Sequence, residues 1–240
     1  MTNRLLRNVA AVLVPFVLVA AACGDDGGDG AGSLAGSSGT AAAASTTVAP
    51  RAGGELKFAA FSEIAGLDPL VALGHGTSGG IQMAAVYDTL MRYDTVKREY
   101  VNHMTASVTP NADSTEWTIK VKPGIKFTDG TDFDAEAVKF GLNRHRSGMV
   151  GAPPCAELIG CPVNSRSSNA YMQLISDIVT TDKLTLTVKL KESWASFQYA
   201  LANDAGNIPS PTALKKCDGR KQPKDCSFNL SPVGAGPFMV

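Results

Sequence analysis

The chain has 240 residues, with 22 basic and 22 acidic side chains and a formal net charge of zero at pH 7. That balance excludes the broad basic face of a nucleic-acid binder, so no nucleic-acid partner is expected. The length suffices for one sizeable core or two small lobes.

Arg4 and Arg7 precede an apolar run over residues 9–22 that ends in Ala20-Ala21-Ala22-Cys23. The run is short for a bilayer span and Pro15 interrupts it, which predicts an export signal rather than an anchor helix. Small residues before Cys23 resemble a lipoprotein cleavage box, although Ala20 stands where Leu is commoner. Residues 1–22 are therefore expected to be a lipoprotein signal peptide, with Cys23 the lipid-modified first residue of the mature protein. Residues 23–52 are rich in Gly, Ala, Ser and Thr without apolar periodicity and predict a flexible linker.

The body opens with a predicted strand over residues 53–59. A glycine-rich loop follows over residues 74–80, and then Met83, Val86, Tyr87, Leu90 and Met91 fall on one helical stripe. Trp117, Ile119 and Val121 alternate with Thr118, Lys120 and Lys122, the pattern of a half-buried strand. Pro123-Gly124 turns the chain into a second predicted strand, Ile125-Lys126-Phe127, which Asp129-Gly130 reverses. Asp134 is placed to cap a helix with Glu136 in its first turn and Arg144, His145 and Arg146 in its last, charges that complement the helix dipole. Residues 175–179 and the alternating Leu184, Leu186, Val188 and Leu190 predict a hairpin closed by Thr181-Asp182-Lys183. Phe238, Met239 and Val240 read as the start of another strand.

Several stretches together resemble one family. Trp117-x-Ile-x-Val-Lys-x-Gly-Ile-Lys-Phe-x-Asp-Gly, followed by Asp134-Ala-Glu-Ala-Val, closely resembles the signature of the family 5 extracellular solute-binding proteins. Gly53-Gly54 before a strand, Leu67-Asp68-Pro69, Val86-Tyr87-Asp88-Thr89-Leu90, Ile208-Pro209-Ser210-Pro211 and Pro232-Val-Gly-Ala-Gly-Pro-Phe238 are similar to further parts of that family. The resemblance covers nearly all of residues 53–240.

It implies an α+β fold: a type II periplasmic-binding-protein lobe, of the Venus-flytrap kind, with mixed sheets and an inserted subdomain. Residues 53–90 and 206–240 would form the first lobe, incomplete here, and residues 91–205 the insertion. The family's second large lobe is absent from this sequence. The implied function is the substrate-binding component of an ATP-driven (ABC) importer. As a lipid-anchored monomer facing outward, it would capture peptides or similar small solutes and deliver them to a membrane permease. The resemblance puts His75, Gly76, Thr77 and Ser78 beside the ligand and makes Gly206 and Asn207 further ligand candidates. No cofactor and no catalysis are implied.

Other readings attach to the same loop. Gly74, Gly76 and Gly79 mimic a dinucleotide-binding loop, with Asp94 at a suggestive distance, but no parallel βαβ unit follows. Gly76-x-Ser78-x-Gly80 mimics a nucleophile elbow, so a lipid-anchored serine hydrolase using Ser78 is an alternative, as is a fragment that binds nothing. No second His, Cys or acidic residue stands at ligand spacing from His75, so no metal site is expected. The four cysteines beyond Cys23 form two local pairs, Cys155 with Cys161 and Cys217 with Cys226. In an exported chain these predict two small disulfide loops, against a zinc site whose usual spacings are tighter.

Overall fold

Trp117, Ile119 and Val121 turn inward from β4 (Glu116–Val121), and the alternate residues face outward. β4 sits inside a four-stranded sheet ordered β3-β4-β6-β5, with β3 at Thr105–Pro110, β5 at Ile175–Asp182 and β6 at Thr185–Leu190. The register sets Trp117 opposite Val188 and Ile119 opposite Leu186, so apolar pairs share one face, while Thr118 meets Thr187 on the other. Such cross-strand pairs are what fixes the register. A separate two-stranded sheet joins β1 (Met91–Asp94) and β2 (Glu99–Asn102). All strand pairings among the described residues are antiparallel, so no parallel pairing of a mixed sheet occurs among them.

The computed structural model describes residues 53–55, 57–60, 63–72, 79–146, 172–217 and 225–240. The chain divides into two units, Met1–Gly54 and Glu55–Val240, and the sheets and helices lie in the second.

Helix α2 (Ala135–Arg146) lies against β5 and β6. The Asp134 carboxylate accepts the Ala137 amide at 3.0 Å, a side-chain N-cap that satisfies one of the open amides of the first turn. Val138 and Leu142 face the sheet and are fully buried with Ile119, Leu186 and Val188. Before the helix, Gly124 adopts φ 82 in the predicted turn. The strand expected at Ile125-Lys126-Phe127 is reduced to a single bridge between Lys126 and Asp132. The reason is the tightness of the reversal: Phe127 donates to the Thr131 carbonyl, and Phe127 and Phe133 pack together with ring centroids 5.2 Å apart.

Helix α1 spans Gly80–Tyr87 and buries Met83, Val86 and Tyr87. It ends earlier than the apolar stripe suggests, because Asp88 takes φ 59, ψ 178 and closes the helix with its amide on the Ala84 carbonyl. Leu90 and Met91 are buried all the same. The Leu90 carbonyl collects the amides of His103, Met104 and Thr105, and Met91 begins β1. The strands expected at residues 53–59 and at Phe238 do not form among the described residues. Phe58 is largely exposed, and Phe238 instead donates its amide to Ala85 of α1.

Two apolar clusters result. The larger joins the four-stranded sheet, α2, Leu90, Met91, Phe197, Leu201 and Ile208. The smaller joins Ala72, Met83, Val86, Tyr87, Ala213, Leu214, Cys226 and Phe228. Cys217 and Cys226 are disulfide-bonded at the edge of the second cluster, with Cα atoms 5.7 Å apart. Cys155 and Cys161 lie outside the described residues.

Candidate functional site

The Leu67-Asp68-Pro69 corner is held by buried polar contacts drawn from four parts of the chain. Arg144 donates to the Asp68 carboxylate through two nitrogens, at 2.8 and 3.2 Å, and both side chains are almost entirely excluded from solvent. This fork-to-fork arrangement is the strong form of the ion pair. The Asp68 carboxylate also accepts the Leu70 amide at 2.9 Å, and the Asp68 amide donates to Asn229 Oδ1 at 3.1 Å. Tyr87 reaches in from α1 and donates its hydroxyl to the Leu67 carbonyl at 2.6 Å. Burial pushes the Tyr87 phenol well above its ordinary pKa; the Asp68 carboxylate adds to the shift and Arg144 opposes it. Tyr87 therefore stays a neutral donor. The Leu67-Asp68-Pro69 corner is thus fixed from several sides.

Arg144 lies in the last turn of α2, where the sequence places it, and its side chain is turned inward. The signal was present in the helix arithmetic: Arg144 falls three and seven positions after Gly141 and Ala137, both on the buried face. Its partner, 76 positions away, has no local signature.

Beside the start of α1 lies an open groove of about 560 Å³, lined by Ala60, Glu63, Ile64 and Gln82. Ile64 also stands against Gly79, the residue that leads the loop into the helix at φ 133. A second cavity, of about 390 Å³, runs between the signature turn and residues 211–215 and is lined by Asp132, Asp134, Glu136, Phe140 and Lys215 among others. Asp129 joins these elements: its Oδ2 accepts the Ser210 hydroxyl at 2.7 Å, and its Oδ1 accepts Thr131.

Of the residues singled out from the sequence, His75, Gly76, Thr77 and Ser78 lie outside the described residues, as does Cys23. Gly206 and Asn207 are described and both are buried. Gly206 closes a single 3₁₀ turn, Asp204–Gly206, and its carbonyl accepts the Leu90 amide. Asn207 is only 1% exposed, and among the described residues neither end of its carboxamide has a hydrogen-bond partner. An unpaired buried amide is uncommon, since each open end costs free energy. Among the described residues no group of three or more His, Cys, Asp or Glu could hold a metal ion, and no helix is long and apolar enough to cross a membrane.

The described body is an antiparallel sheet packed on a capped helix, with the Asp68–Arg144 ion pair buried beside it. Residues 99–240 match the family model described as bacterial extracellular solute-binding proteins, family 5 middle. The chain belongs to that family, whose members are extracellular or periplasmic binding proteins and not enzymes. Among curated proteins it is similar to the glutathione-binding protein GsiB of Shigella flexneri, 33% identical over 137 residues, or 57% of this chain and 23% of that protein. The same protein of Escherichia coli strain K12 is 32% identical over an equal span. The chain thus spans less than a quarter of the length of the curated relatives it matches.

Solved structures agree on the fold. A dipeptide-binding protein from Pseudoalteromonas sp. SM9913 in complex with Met-Leu gives a TM-score of 0.58 at 22% identity, covering 75% of this chain and 36% of that one. DppA from Helicobacter pylori in complex with the peptide STSA gives 0.58 at 19%, covering 74% and 34%. A nickel ABC transporter protein from Bacillus halodurans gives 0.51 at 25%, covering 74% and 32%. The type II periplasmic-binding-protein fold is common to them.

Proposed function

We propose that this chain is part of the substrate-binding component of an ABC importer and that its solutes are peptides or similar small molecules. The family match over residues 99–240 carries the reading. The relatives named for glutathione, itself a short peptide, and the peptide-bound structural neighbours point to the same solute class. Residues 53–90 and 206–240 act as the first lobe and residues 91–205 as an insertion, and the larger apolar cluster crosses between them through Leu90 and Ile208. The protein works as a monomer held to the membrane by acyl chains on Cys23, and the linker at residues 23–52 lets the body stand off the surface. Cys155 and Cys161 close a second disulfide loop.

In this reading His75, Gly76, Thr77 and Ser78 present backbone and hydroxyl groups to the solute, with Gly206 and Asn207 farther back. The unpaired Asn207 carboxamide both donates and accepts, which complements a peptide bond; its burial means a solute reaches it only where its cover moves. A permease then receives the loaded protein, and closure around the solute couples capture to delivery.

Calorimetric titration and thermal shift with di- to pentapeptides and S-methylglutathione, which cannot reduce a disulfide, test the proposal. A saturable solute at a hundred times its Kd adds about 2.7 kcal/mol of stability, a shift of several degrees. No shift with any peptide at millimolar concentration, for this chain and equally for a protein that carries the family's second lobe as well, sinks the peptide reading.

A further inference from the structure

We infer that the Cys217–Cys226 disulfide is a redox-dependent latch on the buried Asp68–Arg144 pair, acting through Asn229. The route is short and continuous. Cys226 Sγ accepts the Phe228 amide at 3.3 Å and so caps the 3₁₀ turn Ser227–Asn229. The Asn229 amide closes that turn on the Cys226 carbonyl at 3.0 Å. Asn229 then grips the corner twice: its carbonyl accepts the Leu67 amide at 3.2 Å and its Oδ1 accepts the Asp68 amide at 3.1 Å. The fit is close enough that a Cβ on Gly66 would stand 2.2 Å from Asn229 Oδ1. Asp68, fixed at its amide, aims its carboxylate at Arg144.

The other sulfur is anchored as well. Cys217 follows the helical turn Pro211–Leu214 and donates its amide to Leu214, whose side chain packs in the smaller cluster with Met83 and Tyr87. The disulfide therefore joins two elements that reach the Leu-Asp-Pro corner from different sides, one through Tyr87 and one through Asn229.

Reduction by a dithiol undoes this in two steps. A reductant thiolate attacks Sγ of Cys217, the more exposed partner, and the Cys226 sulfur leaves and takes up a proton. The second reductant sulfur then displaces Cys217, which is protonated in turn, and the dithiol ends as its own disulfide. Two electrons and two protons have moved to the protein. Freed Cys226 no longer pins the turn that carries Asn229, and the Asp68 amide loses its fixed acceptor. In a reducing compartment the corner is loose; once the protein reaches the oxidising space where its family works, the latch closes.

Hydrogen exchange on the full chain, followed amide by amide, tests this. Exchange at Asp68 and Leu70 should be about fivefold faster in the Cys217→Ser/Cys226→Ser variant than in the oxidised parent, the factor one net hydrogen bond is worth. Ile119 and Leu186, in the central strands, should not change. Asn229→Ala in the oxidised chain should give the same local acceleration, and adding the cysteine substitutions to it should give no more. Should Asn229→Ala not fold, Asn229→Ser replaces the carboxamide with a shorter hydroxyl and so withdraws the side-chain acceptor of the Asp68 amide while keeping a polar group. The inference is overturned by unchanged exchange at Asp68, by equal acceleration at Ile119 and Leu186, or by a further fivefold effect of the cysteine substitutions in the Asn229 variant.

Discussion

Asp68 and Arg144 meet through two hydrogen bonds, at 2.8 and 3.2 Å, with their side chains 0% and 1% exposed. The pair ties the Leu67-Asp68-Pro69 corner to the end of α2, and α2 is the helix that packs on the central sheet. A buried pair of this kind contributes little over an apolar equivalent, but losing one partner strands the other charge in a poor solvent. It specifies position more than it adds stability.

Truncating one partner should therefore be costly. Asp68→Ala is expected to destabilise the protein by about 3–5 kcal/mol, because the guanidinium of Arg144 is then buried without its carboxylate. Arg144→Met in the same chain should recover part of the loss. Urea unfolding of the parent, both single variants and the double variant measures the coupling; strictly additive single effects would show that the two side chains do not act as a pair.

Acid should weaken the fold in a defined window. Burial raises the Asp88 carboxyl, but hydrogen bonds from His103, from Arg92 and from the Thr89 amide outweigh it and hold the group below its ordinary value. Burial likewise opposes the Ser210 and Thr131 hydrogen bonds at Asp129, and loses. Hydrogen bonds from Lys126 and Lys183 bring Asp132 down to about 2. A carboxyl depressed in the folded state contributes stability that is present above its unfolded value, near 3.8, and is lost as pH falls through the folded one. Urea midpoints should hold steady with respect to these groups above about pH 5 and fall between about pH 4 and 2. Asp88→Asn should lose less on acidification than the parent; an equal loss would remove Asp88 from the account.

The local half of this structure was open to sequence reasoning and the long-range half was not. Alternation gave β4 and β6 because each has one buried face, and the Asp134 cap announced α2. The α1 stripe overran its helix: hydropathy marks Leu90 and Met91 as buried but is silent on the positive φ that stops the chain at Asp88. Ile125 to Phe127 looked like a strand because its residues favour one, yet the reversal at Asp129-Gly130 leaves room for a single bridge. The polar corner was the least legible. Arg144, Asp68 and Asn229 read as surface residues by type, and they are separated by 76 and 161 positions. Only the fold brings them together, so motif resemblance flagged Leu67-Asp68-Pro69 without saying what held it.

The proposal of a lipid anchor at Cys23 makes a separate prediction. A short apolar run leading through small residues to Cys23 should direct acylation there. Metabolic labelling with a fatty-acid probe in an expressing bacterium should mark the parent and leave Cys23→Ala unmarked. Equal labelling of the two rules out Cys23 as the attachment point.

Two glycines packed against residues of the larger cluster should respond to alanine differently. At Gly206 an added Cβ would lie 1.9 Å from the Leu201 carbonyl oxygen and 3.3 Å from the Leu90 nitrogen, and both are backbone atoms. The Leu90 amide donates to the Gly206 carbonyl and joins this turn to the root of β1, so the turn cannot shift away from Leu201 without straining that bond. Gly206→Ala should therefore cost about 1–3 kcal/mol, the range for overpacking a filled interior. At Gly141 the nearest atom is Ile208 Cδ1, 2.8 Å away, at the end of a side chain that can rotate. Alanine there also favours the helix by roughly 0.5–1 kcal/mol over glycine, which offsets the repacking, so Gly141→Ala should fall within about 0.5 kcal/mol of the parent. Urea unfolding of both variants measures the contrast. Because Gly206 leads directly into Asn207, the same substitution should also speed exchange at the Asn207 and Leu90 amides. A Gly206→Ala protein as stable as the parent would mean that the turn can shift away from Leu201, and that Asn207 is not rigidly held.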